Sequence, residues 1–309
     1  MTMLSHVPTI TKRLVLTLLI CGLSSGLLAI EGEAQSTVDQ SDPAALAGQI
    51  LDDSLDASAR SQIIGEYPEL AANLLRELTR DLEHGSDEEA RRIPWIWRVA
   101  VSAGERFDEQ QMLEIMDIAL PQFAEPLANW QGVVLGGGVV NGIGRADEWA
   151  VEQLPALLEG HPELESRWSR SVRLAYAMAA DPQVPYPWRY DALRMLAFDD
   201  LSVNLPELEA YLEPGRDSHL HMGAVSALSD MLTPRMTGVL VSALEHLSEE
   251  NRGLALDAML RTDYRAQTLL DAVVGGVVQA ELLGDAHYKA LVNHQNRNVR
   301  DRARQILSQ

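Results

Sequence analysis

The sequence predicts an all-α protein, an α-solenoid of stacked antiparallel helix pairs, and three observations carry that expectation. First, a pattern of Arg or His, two residues, Ala and then apolar residues recurs in the C-terminal half. It reads Arg189-Tyr190-Asp191-Ala192, His221-Met222-Gly223-Ala224, Arg252-Gly253-Leu254-Ala255 and Arg300-Asp301-Arg302-Ala303. The alanines at 192, 224, 255 and 303 stand 32, 31 and 48 residues apart, a spacing that marks stacked helical units. Second, apolar residues elsewhere recur at helical rather than alternating intervals. Third, aromatic residues make up only 5% of the 309-residue chain and β-branched runs are few, which disfavours a sandwich or barrel. With 46% hydrophobic residues the chain has material for one continuous core, so a single repeat domain over 43–309 is expected rather than two domains.

Taken in order, the chain opens on a polar stretch ending in Lys12-Arg13, an apolar and small-residue run over 14–30, and Gly32-Glu33-Ala34. These are the three parts of a secretory signal over 1–34, with the cut after Ala34. An N-terminal anchor over 14–30 is the alternative, because the run approaches the length of a short spanning helix. Ser24, Ser25 and Gly26 interrupt it and favour cleavage. Ile20 argues against lipid attachment at Cys21, the sole cysteine, so the mature chain is expected to lack disulfides, thiolate nucleophiles and Cys-ligated metal. The expected location is periplasmic or extracellular, with membrane contact only through the N-terminal segment where it is retained.

Residues 35–42 read as a polar linker. From Pro43, Leu46, Ile50, Leu51 and Leu55 follow helical spacing, as do Ile63 and Ile64, then Leu70, Leu74, Leu75, Leu78 and Leu82. Tyr67-Pro68 separates the second helix from the third, and His84-Gly85-Ser86-Asp87 ends the third and caps the fourth. The fourth carries Ile93, Trp95, Ile96, Val99 and Ala100, with Pro94 near its start. Asp108 to Leu120 presents Met112, Leu113, Ile115 and Met116 on one face and stops at Pro121.

Residues 122–144 hold Gly132, Gly136, Gly137, Gly138, Gly142 and Gly144. A phosphate cradle fails here, since Asn141 stands where a dinucleotide fingerprint needs its third glycine and Ile143-Gly144 replaces the Lys-Ser/Thr of a phosphate loop. A small-residue helix face packing closely, with a tight turn at Asn141-Gly142, is expected instead. Asp147 is then expected to cap a helix ending near Gly160, followed by a helix from Leu164 to Ala180 and the recurring units. An extra apolar element around Leu269 to Gly276 accounts for the longer last interval.

The units from Pro187 resemble HEAT repeats, stacked as in an armadillo-like superhelix, whose second helix carries Val-Arg or Leu-Arg before the alanine. A narrower resemblance rests on Asp257-Ala258-Met259-Leu260-Arg261, Leu269-Leu270-Asp271-Ala272, Leu291-Val292-Asn293-His294 and Asn298-Val299-Arg300-Asp301-Arg302-Ala303. Residues from about 173 to 307 are similar to the HEAT-like region of large secreted bacterial membrane-bound dehydrogenases that carry a propeller and a c-type haem domain. This chain has neither a Cys-x-x-Cys-His nor blade repeats. The resemblance therefore implies a detached helical scaffold and a secreted redox complex as its partner, with no catalytic or haem-ligating residue.

The net charge is −20, and residues 1–34 contribute nothing because Lys12 and Arg13 cancel Glu31 and Glu33. Such acidity disfavours nucleic acid and anionic lipid. His219 and His221 lean to different faces of a helix, and Asp52-Asp53 and Asp199-Asp200 read as solvated helix ends. No metal-protease, serine-hydrolase or calcium-loop motif occurs. Trp130, Trp149, Trp168 and Trp188 recur about once per helix, and with Tyr186, Arg189 and Tyr190 they are the candidate binding residues, of which the 186–190 stretch is expected to be the most exposed. The expected function is a non-catalytic, exported scaffold that binds another protein and holds no cofactor or metal. The alternative is a carbohydrate- or peptide-binding module using a tryptophan-lined concave face.

Overall fold

Short polar side chains set where many of the helices begin. Asp42, Asp56, Ser86, Asp108, Asp200, Asp217, Ser248 and Thr262 each accept a backbone N–H from the first turn of the helix that follows, satisfying donors that a helix N-terminus leaves open. The computed structural model describes residues 42–307; the expected signal or anchor, with Cys21, and all of the linker but Asp42 lie outside the described residues. The first half holds α1 (Pro43–Ile50), α2 (Ala57–Glu66), α3 (Ala71–Thr79), α4 (Asp87–Arg106) and α5 (Glu109–Ala119). Next come α6 (Asn129–Gly132), a π-helical segment (Val133–Val140) and α7 (Asn141–Arg145), which run on as one rod, then α8 (Ala150–Leu158) and α9 (Pro162–Ala180). The remainder is α10 (Tyr186–Met195), α11 (Leu201–Tyr211), α12 (Ser218–Asp230), α13 (Arg235–Ala243), α14 (Glu249–Leu260), α15 (Asp263–Val274), α16 (Gly284–Val292) and α17 (Arg297–Leu307). The described residues are all-helical apart from connections, without a strand, and none of their helices is long and apolar enough to cross a membrane.

Helices two apart in the chain pack on each other at both ends of the molecule: α1 on α3 and α3 on α5, then α10 on α12, α12 on α14 and α14 on α16, with α13 on α15 and α15 on α17. Ala192, Ala224, Ala255 and Ala303, the alanines of the recurring pattern, have no exposed surface. The basic residue of the same pattern has a distinct task. Arg189 Nε donates to the Ala179 carbonyl at 2.7 Å, His221 Nε2 to Glu213 at 3.1 Å, Arg252 Nε to Leu244 at 2.9 Å and Arg300 Nη1 to His294 at 2.8 Å. Every acceptor lies within two residues of the end of the preceding helix, where carbonyls lack intrahelical partners and the helix dipole favours a donor or cation. Each unit is thus a pair of consecutive helices clasped by a side chain of the second. The fourth copy, on α17, packs against α15 and α16. It continues the α13–α15 row, because α15 intervenes as a single additional helix.

The centre of the molecule is held by backbone contact. A Cβ on Gly104 would lie 2.6 Å from Val139 O, on Gly138 2.3 Å from Ala100 Cβ, and on Gly142 2.3 Å from Val101 O, so α4 and the rod 129–145 touch through glycine. On the rod's other side, a Cβ on Gly136 would lie 1.9 Å from Asp191 O, and one on Gly223 of α12 would lie 2.8 Å from a Leu193 methyl. Close packing of a small-residue face is therefore present, but the expected turn at Asn141-Gly142 is not. Asn141 is helical, at φ −66 and ψ −43, because the rod must run on for Gly142 to meet α4. Pro94 lies within α4 rather than at its start, and the helix begins at Asp87 where Ser86 caps it. Asp147 caps nothing: it takes a left-handed conformation, φ 63, in the connection to α8, whose N-cap is Trp149.

Gly136→Ala should lower stability by about 3 kcal/mol or more through overpacking, whereas Gly253→Ala in α14, with nothing within 4 Å of its Cβ, should raise it by about 0.4–1 kcal/mol. Arg252→Met should lose about 1–3 kcal/mol by stranding the Leu244 and Leu247 carbonyls. Urea denaturation measures all three.

Candidate functional site

Glu89 fixes the wall on which the site is built. Its carboxylate has no exposed surface; it accepts from Gly85 N at 2.7 Å, while its own backbone N–H donates to the N-cap hydroxyl of Ser86 at 3.1 Å. It also accepts from Asn129 Nδ2 and Trp130 N at 3.1 and 3.0 Å, which ties the start of α6 to the start of α4. Midway along α4, Trp97 Nε1 donates to the Gly137 carbonyl at 2.8 Å, locking the indole against the π-helical segment. Between α4, that segment, α10 and α12 lies a cavity of about 330 Å³. Ile93, Pro94 and Val133 line it together with the rings of Trp97, Trp188 and Tyr190.

One ionisable group opens on this apolar space from within the core. Asp191 is 7% exposed and lines the cavity. Its Oδ1 would lie only 2.2 Å from a Cβ on residue 137, so the carboxyl occupies a niche that exists because residue 137 is glycine. Burial pushes the Asp191 carboxyl well above the usual carboxylate range, against a smaller opposing pull from Arg194. Arg194 itself is committed elsewhere, with Nη2 2.7 Å from Asp230 Oδ2. Burial alone would lower the Arg194 guanidinium, yet Asp230, with Tyr190 and Asp191 beside it, raises the group overall. The other Asp230 oxygen receives Arg261 at 3.3 Å.

The sequence candidates divide among different places. Trp188 and Tyr190 meet at the cavity, and Tyr186 flanks it by stacking on His219, a cavity residue, at 5.7 Å between centroids. The rest are apart from it. Trp168 is buried edge-on against Phe198 at 4.9 Å. Trp149 lies under the Arg261 guanidinium at 3.8 Å, with Arg265 at 5.0 Å; burial and then Arg261 bring the Arg265 group down to about 10. Trp130 is half-buried at the start of the rod and packs on the core. The tryptophan-lined face of the alternative reading does not form from these four residues, because one indole per helix falls on different faces of successive helices. Arg189 is no exposed ligand either: it is buried and clasps Ala179 O.

Trp97, Met222 and Asp191 carried no signal in the recurrence. Asp191 does occupy the position before the pattern alanine, where the other copies have Gly223, Leu254 and Arg302; an acid beside an obligatorily buried alanine is the cue that marks it. His219 pairs with Asp217 at 3.0 Å while His221 faces the opposite way to Glu213 O. Among the described residues no cluster of three or more His, Cys, Asp or Glu side chains is arranged to hold a metal ion.

Two further depressions adjoin the cavity. The second shares Tyr190 and Met222 with it and extends past Asp230 and Leu254 to Arg261; the third starts at Arg261 and reaches Asp263 and His294. Comparison with protein-family models, with curated proteins and with solved structures finds no match to this chain.

Because the folded pKa of Asp191 is raised, the native state holds a proton that the unfolded chain releases near pH 4. Stability contributed by that proton is intact below the unfolded pKa and is lost as pH rises through the folded value. Asp191→Asn should therefore be more stable than the parent at neutral pH, with the gain fading as pH falls toward 4, as read from thermal melts across the pH range.

Proposed function

We propose that the protein is a non-catalytic helical-repeat scaffold, a HEAT-like α-solenoid, that receives an extended segment of another protein along the face formed by α10, α12 and α14. The observation that carries this reading is continuity. Three depressions lie in succession across these helices and are joined by shared residues, first Tyr190 and Met222, then Arg261. A groove crossing successive repeat units suits an extended chain. The packing of α10 on α12, α12 on α14 and α14 on α16 supports the solenoid reading, as do the recurring clasps. The net charge of −20 and the carboxylates of Glu250, Asp257 and Asp263 along the groove favour a basic segment. The export signal read from the sequence places the partner outside the cytoplasm, where the resemblance from 173 to 307 suggests a redox complex.

A photo-crosslinking residue at position 254, where Leu254 is 37% exposed in the groove, should capture a protein partner in the exported fraction. The same residue at Val203 on α11, which is 51% exposed and outside the groove, should not. Equal yields from the two positions, or none from position 254, would overturn the reading.

A further inference from the structure

Within that groove one subsite has a chemistry of its own. Glu89, Arg167, Arg189, Arg194, His221, Asp230 and Arg265 are buried, and each has a hydrogen-bonding partner inside the protein. Asp191 is the exception among the buried charged side chains of the described residues. It is more than nine-tenths buried, lines the apolar cavity, and has neither a hydrogen bond nor an ion pair. A lone buried carboxyl of this kind ordinarily costs stability, and here Gly137 of the π-helical segment makes room for it; π-helical turns are frequent at functional sites.

We propose that the cavity between α4, the π-helical segment, α10 and α12 binds an organic ammonium, with the cationic nitrogen on the Asp191 carboxylate and the apolar body against Trp97, Trp188 and Tyr190. The proposal deepens the binding-scaffold reading and rests on it for the accessibility of the groove. Aromatic faces attract a cation through their quadrupole, and a carboxylate with no ion pair of its own in a poorly solvated site supplies the charge that fixes its position. The cations already near the cavity do not fill that role. On α4, Arg98 lines the cavity but donates to Pro94 O at 2.8 Å and lies over the Trp95 ring at 4.8 Å. On α12, His219 is paired with Asp217, and on α10 Arg194 is held by Asp230. The π-helical segment carries no charged residue. A ligand therefore has to bring the positive charge. The same chemistry has two sources, a free amine or the lysine side chain of a bound segment, whose long apolar stem ends in an ammonium.

The test uses the full chain and follows tryptophan fluorescence and heat of binding. The probes are phenethylamine, its neutral isostere phenethyl alcohol, n-butylamine, and lysine blocked at both ends as a peptide mimic. Phenethylamine should bind at least about tenfold more tightly than the alcohol, a difference of ~1.4 kcal/mol. Asp191→Asn should bring the amine down to the alcohol's affinity. Below the folded pKa of the carboxyl, amine affinity should fall by about tenfold per pH unit, because one proton leaves for each ligand bound. Trp188→Leu, at a half-buried position, should weaken the amine severalfold while the protein stays folded. Tighter binding by n-butylamine than by blocked lysine assigns a free amine, and the reverse assigns a lysine of the partner; either supports the site. Equal affinity for amine and alcohol, an Asp191→Asn variant that keeps amine affinity, or no amine binding up to about 10 mM, beyond the weak end of small-ligand affinity, would overturn it. Amine binding without cross-linking at position 254 would sink the groove reading alone, whereas cross-linking without amine binding would sink only the subsite.

Discussion

Backbone touching backbone at the centre of the molecule is the constraint on which the rest of the structure depends. Gly104 and Gly142 bring α4 onto the central rod and Gly136 brings the rod onto α10 by backbone contact, while Gly138, Gly137 and Gly223 at the same interfaces and between α10 and α12 make room for Ala100, Asp191 and Leu193. These three interfaces share one row of helices, so a side chain at any of them would propagate through neighbours that have no slack. The rod meets the demand by widening into a π-helix over Val133–Val140. The cavity is a by-product of the same geometry. Helices drawn together at their glycines splay where Trp97, Trp188 and Tyr190 stand between them, and the space left over is lined with rings.

Charge inside the fold divides into two kinds. Arg194, Asp230 and Arg261 form a connected set that joins α10, α12 and α14, and the arginines that meet helix ends satisfy carbonyls that would otherwise be stranded. All of these stabilise the pairs they join. Asp191 stabilises nothing in the free protein. Its surroundings favour its neutral form, so the fold sustains a group that works against its own stability at neutral pH, the pattern expected where a site is tuned for something other than folding.

Much of the architecture was legible because helix chemistry is local. Ser86 and Asp108 cap the helices that their positions announce, and Pro187 stands in a first turn; Pro162, expected before the helix from Leu164, instead opens it. The alanines at 192, 224, 255 and 303 are buried as their recurrence implies. The site was legible only in part. Trp188 and Tyr190 were visible as aromatics in one repeat, but their companions Trp97 and Asp191 come from a distant helix and from a position masked by the pattern itself. Spacing of tryptophans failed as a guide because equal intervals along the chain do not fix a face when helix lengths and connections vary. The π-helix was illegible for a related reason. Its hydrogen-bond register follows from what packs on either side of the glycines, and Asn141-Gly142, a turn by local propensity, is overruled by that contact.

The clasp between paired helices reads only a carbonyl oxygen, which every residue carries. The donor position is therefore constrained to Arg or His, while the acceptor positions, Ala179, Glu213, Leu244 and His294, share no chemistry at all. Such a joint is blind to the identity of half the unit it holds. First helices are free to drift, and a lone helix such as α15 slots between two clasped pairs without rewriting either. A joint of this kind fixes how two helices meet while leaving the side chains of the first unspecified.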